Sequence, residues 1–213
     1  EALELTNAVL KSGIDASLQV TPYYNRPNAE GLYRHFAAVA DLGLPVVLYN
    51  VPGRAGREIP LDVVVRLSSH AKVAAIKEAA GSVDRVSAIR DACELPVVSG
   101  DDSLTLPMIS VGACGVISVA SNVMPKEVST MVRLALNNDF PAARELHRAC
   151  YPLFRDLFID TNPVPVKTAL AMMNRTGRFQ VAVVRADREG QGATLPYFAQ
   201  PRTYLTVLEQ HTI

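Results

Sequence analysis

The chain has 213 residues, 49% of them apolar, and its 21 Lys+Arg balance 21 Asp+Glu to a formal net charge of zero. That is enough apolar material for one sizeable core without disulfides or a metal. The charge balance argues against a nucleic-acid footprint or a membrane-surface role. Cys93, Cys114 and Cys150 are widely spaced and odd in number, a pattern of small buried residues in a reducing compartment. No apolar run approaches the roughly 18 residues of a membrane span, and the start carries no leader pattern. A soluble cytoplasmic protein is expected.

Glu1 to Lys11 reads as helix from its first residue, with Leu3, Thr6 and Leu10 on one face and Gly13 placed to end it. A chain that opens this way, without a cap or an initiating Met, reads as starting in the middle of a fold. Short apolar strands follow at Ala16–Thr21, Pro45–Tyr49, Val73–Lys77, Pro96–Ser99 and Gly115–Val119. Their near-continuous apolar character is that of strands covered on both faces.

Helical patterns separate them. Leu32, Phe36, Val39 and Ala40 mark one that closes at Gly43; Val63, Val64 and Leu67 mark another that opens at Pro60. Ser82 can cap a third, with Val83, Val86 and Ile89 inward, and Leu104, Met108 and Ile109 mark a fourth. Strand starts recurring every 20 to 30 residues describe βα units of a parallel sheet. After Val123 the alternation stops, and Pro125–Asn137, Phe140–Phe158 and Val164–Met173 all read as helix.

Two architectures fit, a doubly wound sheet and a (β/α)8 barrel. No GxGxxG or GxxxxGK[ST] follows a strand, while polar chemistry collects at the strand C-termini, where barrel enzymes keep their sites. The expectation is an incomplete (β/α)8 TIM barrel with about five of eight strands over residues 1–124. A C-terminal helical region over 125–173 and a divergent tail of unassigned structure over 174–213 follow.

Lys77 ends the strand Val73–Lys77, with Ala75 and Val73 on its face. A lysine in a small apolar pocket disfavours its ammonium form, and the free amine can attack a ketone to make an imine. A strand-end lysine more often simply snorkels to solvent. Tyr49 ends the preceding strand and should lie one strand spacing away, about 4.8 Å, where a phenol can shuttle protons. Tyr24 is expected at the end of the strand before that. Arg54, in the Val51–Gly56 turn, can grip a carboxylate with two hydrogen bonds, though a solvated loop arginine is the plainer reading. The four histidines (His35, His70, His147, His211) lack metal-ligand spacing, no metal site is expected, and Asp101-Asp102 reads as a strand-end turn.

The motifs VTPYYNRP, EGLYRHF, LYNVPGRAG, IKEAAG, SGDD, GVISV and NPVPVK occur in that order from Glu1 to about Met173. Together they resemble the dihydrodipicolinate synthase family. The resemblance implies a lyase condensing pyruvate with L-aspartate 4-semialdehyde in lysine and diaminopimelate biosynthesis, with no metal or organic cofactor. It implies that Lys77 forms the imine with pyruvate and that Tyr49 gives and takes protons. Tyr24 would complete a relay reaching a neighbouring subunit, and Arg54 would hold the semialdehyde's carboxylate. Gly100 and the backbone of Ile117 would contact substrate, and the assembly would be a homotetramer of tight dimers. The family's opening three βα units and their Gly-Thr-Thr-Gly-Glu loop are not in the sequence, and Ala55 and Ala80 stand where threonines are usual. The alternatives are a sibling lyase acting on polyhydroxylated aldehydes, such as N-acetylneuraminate lyase or a keto-deoxy sugar-acid aldolase, or an inactive fragment with little turnover.

Overall fold

The computed structural model describes residues 1–175, so the tail assigned to 174–213 lies almost wholly outside the described residues. It divides into two compact units, Glu1–Ile117 and the residues from Ser118 onward.

The first unit alternates helix and strand. In chain order it runs α1 (Ala2–Val9), β1 (Ser17–Val20), α2 (Ala29–Ala40), β2 (Val46–Asn50), α3 (Pro52–Ala55), α4 (Leu61–Ser68), β3 (Val73–Glu78), α5 (Val83–Ala92), β4 (Val97–Ser99), α6 (Thr105–Ser110) and β5 (Gly115–Val116). The five strands form one sheet in the order β1-β2-β3-β4-β5, every neighbouring pair parallel. Strands laid side by side in sequence order, each joined to the next through helix, are five consecutive strands of a (β/α)8 barrel. A doubly wound sheet would reverse its strand order at a switch point, and none does here.

The helices form where the sequence signals them. Asn28 caps α2 by accepting from Gly31 N at 2.9 Å, and Ser82 caps α5 by accepting from Arg85 N at 3.3 Å. On α4, Val63, Val64 and Leu67 are all fully buried, each worth about 1.5–3 kcal/mol over an exposed position. Leu48 on β2 and Ile76 on β3 are fully buried as well.

Three expectations need correction. Helix α1 stops at Val9, and Leu3 is 45% exposed while Thr6 is buried, its hydroxyl accepting from Gln19 Nε2 at 3.2 Å. The buried stripe is thus centred on a polar residue. Strand β1 ends at Val20, so Tyr24 is a loop residue four positions further on and 94% exposed; Pro22 and Pro27 bracket a stretch that cannot extend the ladder. Strand β5 has two residues rather than five, because Ser118 Oγ accepts from Ser121 N at 2.8 Å and turns the chain into a short 3-10 helix over Ala120–Asn122. The apolar run continues, yet a serine offers the backbone a competing local bond.

The second unit is helical: α7 (Pro125–Leu136), α8 (Phe140–Asp156) and α9 (Val164–Met172). Met131 of α7 and Leu153 of α8 are fully buried. Asp139 caps α8 through Ala142 N at 3.2 Å. No described helix is long and apolar enough to cross a membrane.

Candidate active site

Tyr49 and Lys77 are register partners on β2 and β3. The parallel ladder therefore sets them side by side at the C-terminal end of the sheet, and Lys77 Nζ sits 4.2 Å from the centre of the Tyr49 ring. Lys77 is only 9% exposed. Burial pushes its pKa below the ordinary lysine value; the carboxylates of Asp102 and Asp101 pull it back up, and the Arg54 guanidinium adds to the lowering. Burial likewise raises the Tyr49 phenol, with Arg54 opposing and Asp101 reinforcing the rise. The pair is thus an amine whose charged form is less favoured than an ordinary lysine's, beside a phenol that holds its proton more tightly than an ordinary tyrosine.

Room for the lysine comes mainly from β4 and the loop after it. A methyl group on Gly100 would lie 3.0 Å from Lys77 Cε and 2.6 Å from the Ala79 Cβ, and Gly100 N donates to Glu78 O at 2.7 Å. Only a residue without a side chain fits there. Gly100, expected from SGDD to contact substrate, lies beside the Lys77 side chain.

Asp101 and Asp102 do make the strand-end turn read from the sequence: Asp101 O accepts from Ser99 Oγ at 2.9 Å and from Thr105 Oγ1 at 3.0 Å. Beyond that, both carboxylates act on Lys77, and burial raises the Asp101 carboxyl, with a hydrogen bond from Gly81 N–H and the charge of Lys77 opposing. Their electrostatic part was not read from the sequence; a DD pair at the end of the strand beside the lysine was the available signal.

Arg54 is exposed on the single turn α3, which starts at Pro52 and ends at Gly56 in the left-handed conformation (φ 63°). Its charge reaches both Lys77 and Tyr49. Ile117 N donates to Ser99 O at 2.9 Å, continuing the ladder past the end of β5. Tyr24 stands apart on its exposed loop. Among the described residues no group of three or more His, Cys, Asp or Glu could hold a metal ion.

The sequence reading missed the residues on the other side of the same two strand ends. Asn50 and Glu78 are also register partners, and both are fully buried. Asn50 Nδ2 donates to both Glu78 carboxylate oxygens at 2.9 Å, Ala80 N donates to Oε1 at 2.9 Å, and Arg85 Nε donates to Oε2 at 3.0 Å. Burial raises the Glu78 carboxyl from its ordinary value, while these donors, Arg85 foremost, pull it back. A glutamate inside an otherwise apolar strand, with an asparagine one position after the neighbouring strand's tyrosine, was the signal that could have found them.

A parallel α/β sheet with a buried lysine at a strand end defines the class, and the comparisons specify it. The Dihydrodipicolinate synthetase family matches residues 1–184, and the chain belongs to that family. The match runs past Met173, where the motif resemblance ended. A 4-hydroxy-tetrahydrodipicolinate synthase of Pelobacter propionicus is 49% identical over 176 residues, covering 81% of this chain and 61% of the relative. The solved synthase of Methylacidiphilum fumariolicum SolV superposes with a TM-score of 0.82 at 49% identity, over 92% of this chain and 65% of that one. The dihydrodipicolinate synthase of Acinetobacter baumannii, solved in complex with pyruvate, gives 0.83 at 39% identity over 87% and 65%. The chain spans about three fifths of the length of the curated relatives it matches.

Proposed function

We propose that this chain carries the imine-forming half of a pyruvate-dependent lyase, with Lys77 as the nucleophile. The observation that carries the reading is the buried Lys77 amine against the Tyr49 ring, at 4.2 Å, with its pKa held down by burial. A neutral amine there attacks the ketone carbon of pyruvate and loses water to give an imine, whose positive nitrogen makes the neighbouring methyl carbon acidic. Tyr49, a phenol that keeps its proton, serves the proton transfers of imine formation and of the enamine's attack on an aldehyde. The chemistry asks for no metal or organic cofactor, because the protonated imine is itself the electron sink.

Arg54 receives the carboxylate of the second substrate, L-aspartate 4-semialdehyde, which favours the synthase over siblings that take polyhydroxylated aldehydes. Gly100 leaves space for the lysine and the bound pyruvate. Ile117 contributes a backbone carbonyl, since its N–H is already given to Ser99. Tyr24, fully presented to solvent, belongs to a relay that reaches a second copy of the chain in a homo-oligomer, and the compartment is the cytoplasm. Support also comes from the relatives named as synthases and from the related structure holding pyruvate.

The test is to incubate the purified chain with pyruvate, reduce with borohydride and map the pyruvyl adduct by mass spectrometry. An adduct on Lys77 is expected. A chain folded by circular dichroism but without the adduct sinks the reading, and exchanging aspartate 4-semialdehyde for sugar aldehydes identifies the second substrate.

A further inference from the structure

The buried Glu78–Arg85 pair does more than satisfy itself. Arg85, 14% exposed in the first turn of α5, also pairs through Nη1 with Glu58 at 2.8 Å and donates through Nη2 to the carbonyl of Ile59. Ile59 N in turn donates to Asn50 Oδ1 at 2.9 Å, and Asn50 is held by Glu78. Residues 50 and 58–59 are the two ends of the excursion that leaves β2, makes α3 and returns to α4. Everything between them, Arg54 included, is a loop whose two ends meet on one carboxylate–guanidinium pair.

Stability alone is a poor account of this arrangement. A buried ion pair contributes little over well-packed apolar side chains of equal volume. What it adds is a fixed geometry, because a planar guanidinium with several directed bonds admits few alternatives. Two of Arg85's three side-chain partners, Glu58 and Ile59, lie at the far end of the Arg54 excursion.

We propose that Glu78 and Arg85 are positioning residues for Arg54: they fasten both ends of segment 51–58 and so set where the Arg54 guanidinium meets the carboxylate of the second substrate. The proposal rests on the reading of Lys77 and Arg54 given above. Lys77 and Tyr49 are fixed by the β2–β3 ladder, so the clamp governs the second substrate and leaves the first largely untouched.

The test uses Arg85→Met, which keeps the volume and removes the bonds, and Glu58→Gln, which loosens one half-exposed bond and leaves the buried pair intact. In Arg85→Met the pyruvate concentration for half-maximal trapping on Lys77 should change less than about threefold. The concentration of aspartate 4-semialdehyde that consumes half of the preformed imine should rise about tenfold or more, as small misplacements of a binding group do. Glu58→Gln should show the same split in smaller measure. An equal loss for both substrates, or no loss for either, overturns the proposal. Hydrogen exchange decides the clamp independently of activity. The amides of Arg54, Ala55, Gly56 and Ile59 should lose protection in Arg85→Met while Ile76 does not, and unchanged exchange there refutes it. A wild-type chain that forms no adduct refutes the imine reading instead.

Discussion

The ends of β2 and β3 carry two ionisable groups on adjacent residues, and the protein treats them in opposite ways. On one face Lys77 lies against an aromatic ring, and burial lowers its pKa. On the other, Glu78 is fully buried among an amide, a backbone N–H and a guanidinium, all donating to it. Both are removed from water, which disfavours either charge. The difference is in the company: one charge is left for chemistry to discharge, the other is held by partners.

That contrast can be broken from either side. The largest effect should come from Lys77→Ala, which removes the proposed nucleophile; borohydride trapping with pyruvate should fall to background, with the thermal midpoint no lower than in the wild type. Glu78→Ala should leave trapping chemistry intact but remove one of Arg85's two carboxylate partners and the acceptor of Asn50 Nδ2 and Ala80 N, at a cost of up to about 3–5 kcal/mol. Against a total stability of about 5–15 kcal/mol, denaturant titration should show a large fall in the midpoint. Gly100→Ala should cost about 1–3 kcal/mol from overpacking and slow adduct formation, because the new methyl collides with Ala79 and presses on Lys77 Cε. Normal trapping rates in that variant would mean the lysine has room to spare.

The smallest and sharpest effect concerns pH. Trapping needs the free amine, so its rate should rise with pH through a lysine pKa below the ordinary value. Asp102 is the leading charge that pulls this pKa back up. In Asp102→Asn the ammonium loses that support, the pKa falls further, and the trapping profile should move to lower pH. A profile moving to higher pH, measured on a folded variant, would contradict the electrostatic account of the site.

The elements that the sequence revealed best are those whose signal is local. All five strands begin within a residue of their apolar runs, and the cap read at Ser82 stands where α5 begins. The pairing of Tyr49 with Lys77 was also legible, because consecutive parallel strands of similar length bring their ends into register. The short β5 and the loop position of Tyr24 were not, since in both places a single serine or proline outweighs an apolar stretch that reads as strand.

The sequence by itself therefore determined the alternation of strand and helix, the parallel order, and the strand ends on which Lys77 and Tyr49 stand. These follow from hydrophobic period and chain length alone. Only the tertiary structure decided that Gly100 makes the space for the lysine, that Asp102 faces it, and that Glu78 is neutralised from α5. Each of those depends on residues 7 to 25 positions apart meeting in the absence of water, and no local pattern encodes which partner a buried charge will find.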